Sequence, residues 1–301
     1  MESIWTKLSH ELAETSAAAG KSVVAVQGAR HASSGIIIAK DAVVAASHAV
    51  RRDEEINVVT GPGQRVTARV GGRDPGTDLV VLRLDQPIEA TALRWAVNAN
   101  LRVGELVLAL ARTRRGHVVA SSGVLSGLIA GPMRTWRGGE IDQFIRPDLA
   151  MYAGFSGGPL VNSQGEFLGL NTSGLHRSGI AVPAATVQRV AAELLEKGSV
   201  QRPYLGLAMQ AAPLQESLRS RLNLSSGEGL LVVHVEPQSP ADKAGMLLGD
   251  VLVKLAGGAV ADTDSVQQVL RKHKVGDSVP AELIRGGALA TATLRLEARP
   301  A

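Results

Sequence analysis

The chain has 301 residues, is 45% hydrophobic and 20% charged, and carries a net charge of +4 with a pI near 9.6. That is a globular composition with length for roughly two ordinary domains. With no cysteine, disulfide frameworks, thiolate nucleophiles and cysteine-based metal sites are excluded, and stability rests on packing. The basic runs Arg51-Arg52 and Arg112-Thr113-Arg114-Arg115 are short and lack interleaved aromatics. They read as solvated surface and not as a nucleic-acid footprint.

Ile4, Trp5, Leu8 and Leu12 recur at helical spacing and predict an amphipathic helix over residues 1–20, packed on its own domain or, through Trp5, on another subunit. The segment lacks the basic start and apolar centre of a signal peptide, and no window approaches the ~18 apolar residues of a membrane span. As written the sequence reads as cytoplasmic, or as periplasmic if a leader has been trimmed.

From Lys21 to about Val182, short β-branched runs such as SVVAVQG, SGIIIAKDAVVAAS, RVTARVGG, DLVVLRLD and ELVLALA are broken by Gly, Pro, Asp and Asn. That pattern predicts an all-β sandwich or a pair of barrels. Ala184 to Lys197 has helical periodicity and stops at Gly198, so residues 21–197 read as one domain and GSVQRP, 198–203, as a linker. Residues 204–301 read as a compact α+β module. In it Val251, Val253 and Leu255 are expected on one strand face, and Asp264 is expected to open a capping box for a helix that ends at Gly276.

Gly154-Phe155-Ser156-Gly157-Gly158 satisfies the G-x-S-x-G pattern of a hydrolase nucleophile elbow. An elbow needs a helix after its serine, whereas Gly157-Gly158-Pro159 cannot start one and PLVN, SQGE and FLGLN read as a hairpin. A different constellation survives. His48 follows one strand, Asp78 opens another and Ser156 comes after both, the chain order of the chymotrypsin arrangement. A serine hydroxyl needs a base to take its proton, and that base needs an acid to hold its tautomer. The glycines permit a turn that aims the Gly154 and Ser156 N–H groups at a developing oxyanion.

SSGIIIAKDAVVAASHAV, GTDLVVLRLD, GFSGGPLVNSQGEFLGLNTSG and RPYLGLAMQ followed by GLLVVHVEPQSPADKAGMLLGDVLVKLAGGAV together resemble the HtrA/Deg family of serine proteases. The resemblance implies a mainly β fold, a chymotrypsin-like double β-barrel followed by an α+β PDZ domain. It also implies a serine endopeptidase acting on unfolded or damaged polypeptides, without metal or organic cofactor, and most simply a homotrimer. By the same resemblance His48, Asp78 and Ser156 are catalytic and Gly154 and Ser156 form the oxyanion hole. Ala150, Met151, Asn171, Thr172 and Ser173 would line the substrate pocket. With no acid on its floor, that pocket would favour small or medium aliphatic P1 side chains over basic ones, whose unpaired burial is costly. In the PDZ domain Tyr204, Leu205, Gly206 and Leu207 resemble the carboxylate-binding loop, and Val266, Val269 and Leu270 would flank a groove for C-terminal peptides. Leu128 to Gly139 would be a mobile sensor loop, and the short GARHASS loop speaks against a large cage. Phe155 departs from the family, which usually has Asn there. If its bulk spoils the turn, the alternative is a catalytically silent chaperone or PDZ scaffold.

Overall fold

A computed structural model describes residues 3–28, 33–50, 56–61, 63–89, 91, 93–97, 100–135, 139–176 and 179–298. Arg51-Arg52, Trp136 and the centre of the GARHASS loop lie outside the described residues. The chain divides into two compact units, Met1–Val200 and Gln201–Ala301. The first begins with helix α1 (Ile4–Gly20), whose N-cap Ser3 hydroxyl accepts from the Thr6 N–H. Leu12 packs on the core while Ile4 and Trp5 stand 77% and 76% exposed, so only the later turns seat the helix on its own domain.

Strands β1 (Val23–Gln27), β2 (Ser33–Ala39), β3 (Ala42–Ala46), β4 (Ile56–Val59), β5 (Arg65–Asp74) and β6 (Leu79–Leu84) close a barrel in the order β1-β2-β3-β6-β5-β4. A second barrel follows from β7 (Leu106–Arg112), β8 (Val118–Arg134), β9 (Glu140–Asp148), β10 (Pro159–Asn162), β11 (Phe167–Thr172) and β12 (Ile180–Pro183), in the order β10-β11-β12-β9-β8-β7. Helix α2 (Ala184–Lys197) ends at Gly198, whose φ of +75° is the left-handed cap glycine favours. The apolar runs are continuous instead of alternating because both strand faces are covered. Val24, Val43, Ala45, Val80 and Leu82 fill the first barrel. The opposite faces, with Val23, Val44, Ala46, Leu79 and Val81, join Leu108, Leu110, Phe167, Leu170 and Val182 of the second barrel and Val187, Val190 and Leu194 of α2 in one core.

Two expectations are corrected here. Most of Leu128 to Gly139 is strand and not loop: β8 pairs with β9 from Leu128↔Ile145 to Arg134↔Glu140. Strand β9 is hard to see in EIDQFIRPD, which scatters charges among its apolar positions. Arg112 is not solvated surface but 4% exposed, its guanidinium donating to the carbonyls of Gly20, Val23 and Gly116. Burial pushes its pKa below the ordinary guanidinium value. Carbonyl dipoles, one of them at the C-terminus of α1, offset the cost of that buried charge.

In the second unit β13 (Pro203–Tyr204) pairs with β20 (Glu297–Ala298). A sheet runs in the order β14 (Leu207–Pro213), β15 (Glu228–Val235), β16 (Val251–Leu255), β18 (Ser278–Arg285) and β19 (Ala288–Arg295), with short β17 (Gly258–Ala259) on β16. Helices α3 (Glu216–Arg221), α4 (Pro240–Lys243) and α5 (Thr263–Arg271) complete it. The N-cap of α5 is Asp262, boxed with Ser265, two residues before the expected Asp264, and the helix ends at Arg271, short of Gly276. A register shift between Leu252 and Lys254 breaks the expected alternation in β16, so Leu252 and Leu255 enter the core cluster.

Candidate active site

His48 sits in a single 3-10 turn, Ser47–Ala49, directly after β3. Asp78 precedes β6 with φ +58°, a left-handed conformation uncommon outside glycine. The preceding turn imposes it. The Asp74 carboxylate accepts from the N–H groups of Gly76 and Thr77 and from the Thr77 hydroxyl, and the Ser47 N–H donates to the Asp78 carbonyl. The Asp78 side chain is wholly buried. Its Oδ1 accepts the His48 N–H at 2.8 Å, and its Oδ2 accepts from His48 Nδ1 at 2.6 Å and from the Thr172 hydroxyl. Since a carboxylate oxygen can only accept, Nδ1 carries the imidazole proton and Nε2 holds the free lone pair.

Ser156 lies on a turn that only glycine permits. Gly157 has φ +88°, and any Cβ on it would strike the Ser34 carbonyl; one on Gly158 would strike the Leu110 carbonyl. Phe155 is 2% exposed and buried in the core of the second barrel, with its ring 6.1 Å from that of Tyr152. The bulky side chain therefore anchors the turn from below. The Ser156 hydroxyl is 3.3 Å from the Ser173 hydroxyl and makes no hydrogen bond to His48 among the described residues. The structure thus bonds His48 to Asp78 and leaves the nucleophile unbonded to its base, a loosening common in unliganded hydrolase sites.

Of the expected pocket residues, Ala150 and Ser173 are exposed and Met151 is half-buried, its Sδ 2.8 Å from where a Cβ on Gly179 would lie. Asn171 and Thr172 are fully buried, so their side chains face inward and only their backbone could meet a substrate. Thr172 instead holds Asp78, a role invisible in sequence because the two residues are 94 positions apart. Among the described residues, the Asn171 side chain has neither Nδ2 nor Oδ1 hydrogen-bonded. Unsatisfied buried groups cost about 1–3 kcal/mol each, so Asn171→Leu, nearly isosteric, is expected to stabilise the protein by about 1–3 kcal/mol. A lower melting temperature in thermal unfolding would contradict this.

Comparison with known proteins gives this geometry its context. A trypsin-like peptidase domain signature matches residues 33–170 and a PDZ domain signature matches residues 203–296. The serine protease Do-like HtrA of Lactobacillus helveticus is 33% identical over 274 residues, covering 86% of this chain and 65% of that protein. The chain belongs to the HtrA/Deg family. The periplasmic serine endoprotease DegP of Salmonella typhimurium is 30% identical over 272 residues, covering 88% of this chain and 56% of that one. The chain thus spans between about half and two thirds of the length of the curated relatives it matches. Among solved structures, the HtrA-type protease AlgW with a tripeptide superposes with a TM-score of 0.71 at 25% identity, covering 96% of this chain and 97% of that one.

In the PDZ domain of this HtrA/Deg chain, Gly206 adopts φ +79° where a Cβ would strike Ser239. The carbonyls of Leu205 and Gly206 are taken by the N–H groups of Ala241 and Glu236, while their own N–H groups donate to no backbone carbonyl among the described residues. Tyr204 and Leu207 are half-buried, and β14 lies at the edge of the sheet. Val266 and Leu270 are 1% and 5% exposed and belong to the module's core. Val269 alone is half-exposed.

Proposed function

We propose that the protein is a serine endopeptidase that degrades unfolded or damaged polypeptides under control of its PDZ domain, with His48, Asp78 and Ser156 as the catalytic residues. The reading is carried by the hydrogen bond from His48 Nδ1 to Asp78 Oδ2, which leaves Nε2 with a lone pair. His48 takes the Ser156 proton as Oγ adds to the scissile carbonyl, then returns it to the leaving amine. A water activated by the same imidazole hydrolyses the acyl-enzyme. The N–H groups of Gly154 and Ser156 stabilise the oxyanion at each tetrahedral stage. Burial of Phe155 in the barrel core argues against the silent-scaffold alternative, which required that side chain to disrupt the turn.

Met151, half-buried and against Gly179, would give the pocket an apolar wall, which suits a small or medium aliphatic P1 residue. C-terminal peptides would add as a strand to the edge of β14, their carboxylate received by the Leu205 and Gly206 amides. Assembly as a homotrimer would use the exposed Ile4 and Trp5. Casein degradation that vanishes in Ser156→Ala, with labelling of Ser156 by a serine-directed phosphonate, is the expected result. Absence of both, with and without a PDZ peptide, would remove the protease reading, and cleavage after Lys or Arg in a peptide library would remove the P1 assignment.

A further inference from the structure

The first barrel holds the serine turn at two carbonyls: Ser156, through the Ser33 hydroxyl and the Ser34 N–H, and Gly154, through the Ser34 hydroxyl. Ser34, at the start of β2, is wholly buried. Its hydroxyl accepts from the Arg112 N–H at 3.0 Å and donates to the Gly154 carbonyl at 2.7 Å, and its own N–H donates to the Ser156 carbonyl at 3.0 Å. With one lone pair held by Arg112, the hydroxyl proton is directed at Gly154. A side chain that both donates and accepts is required there.

Following each peptide plane through the turn shows what this contact decides. The plane joining Gly154 to Phe155 is fixed at both ends, by Ser34 on the carbonyl and by the Phe155 N–H donating to Tyr152 at 3.2 Å. The plane joining Ser156 to Gly157 is likewise fixed, by the Ser34 backbone N–H and the Ser33 hydroxyl on the carbonyl and by the Gly157 N–H donating to Asn171 at 2.8 Å. Between them, the Phe155 carbonyl accepts the Gly158 N–H at 3.0 Å. Because a trans peptide points its N–H opposite its carbonyl, the Ser156 N–H is thereby aimed away from that bond. Only the plane joining Ala153 to Gly154 has no hydrogen bond at either end among the described residues. The Gly154 N–H, the second oxyanion donor, therefore owes its direction to the neighbouring plane, which Ser34 holds.

We infer that Ser34 is a positioning residue for the oxyanion hole, acting through the Gly154 carbonyl from the opposite barrel. This rests on the protease reading for its consequence in catalysis, though not for its effect on the turn. Ser34 touches no substrate. Loss of its hydroxyl leaves the bonds at the Ser156 and Phe155 carbonyls in place but releases the Gly154 carbonyl, and with it the plane next to the Gly154 donor.

The test uses the full chain with Ser34→Ala and, as a near-isosteric variant that keeps a weak donor, Ser34→Cys. Hydrogen exchange of the amides of residues 153–158 is expected to quicken by about tenfold or more in Ser34→Ala and less in Ser34→Cys, with β3 and β6 exchanging as in the parent. Peptide turnover is expected to fall by roughly tenfold to a hundredfold in kcat, less than the 10²–10³ that removal of an oxyanion donor itself costs. KM should stay within about twofold, the pattern of an interaction made in the transition state. Unchanged exchange at 153–158 would overturn the inference, as would a KM that rises while kcat holds. If Ser34→Ala does not fold, Ser34→Cys alone decides by the same two measurements. If the parent chain neither turns over peptide nor labels at Ser156, the protease reading fails, and the exchange result still decides whether Ser34 holds the turn.

Discussion

Asp78→Asn is expected to lower peptide turnover by roughly 10⁴, the scale of the equivalent change in a chymotrypsin-type triad. The donors around this carboxylate leave no place for an amide. The His48 N–H faces Oδ1, while His48 Nδ1 and the Thr172 hydroxyl both face Oδ2. An NH₂ on the Oδ1 side opposes a backbone N–H. On the Oδ2 side it opposes the imidazole unless His48 moves its proton to Nε2, and in that tautomer the ring cannot accept from Ser156. Measured kcat/KM on a peptide substrate, with the fold checked by circular dichroism, decides. A folded Asp78→Asn chain within about tenfold of the parent would refute the assignment of Asp78.

Gly174→Ala is expected to be nearly as damaging, though Gly174 bears no functional group. A Cβ there would lie 2.5 Å from Asp78 Oδ2 and 2.6 Å from His48 Nδ1, on top of the hydrogen bond between them. Neither neighbour is the free end of a flexible side chain, since each is already bonded, and the Gly174 N–H itself donates to the Thr172 hydroxyl at 2.9 Å. The added methyl must displace the imidazole or the carboxylate. A misplacement of about 1 Å costs on the order of 10²-fold in rate, whereas overpacking costs only about 1–3 kcal/mol in stability. The expected signature is a folded protein with turnover down about a hundredfold and slower phosphonate labelling of Ser156. Retention of parental turnover would mean that the His48–Asp78 bond does not control the rate.

The barrel strands are legible in the sequence because runs such as VVAV, IIIA, VVAA and LVVL are buried on both faces, and such runs stand out whatever their partners. His48, Asp78 and Ser156 are legible because each sits in a distinctive local string with its own turn chemistry. Thr172, Gly174 and Ser34 are not, because their importance lies in what reaches them from the other barrel. Thr172 reads in sequence as one more strand residue, and only the fold sets its hydroxyl against Asp78. The start of α5 was misplaced by two residues because Asp262 and Asp264 are equally good caps on paper, and only the Ser265 hydrogen bonds separate them. Arg112 read as a surface charge because sequence records the side chain and not the carbonyls that receive it.

The core shared by the two barrels ties assembly of the proposed site to the completion of folding. His48 and Asp78 come from one barrel, Ser156 and Thr172 from the other, and the residues that join the barrels are the reverse faces of the same strands that fill them. A chain caught half-folded therefore holds a base without a nucleophile or a nucleophile without a base. In the proposed protease, cutting power would arise only when folding is finished and the barrels have closed upon each other.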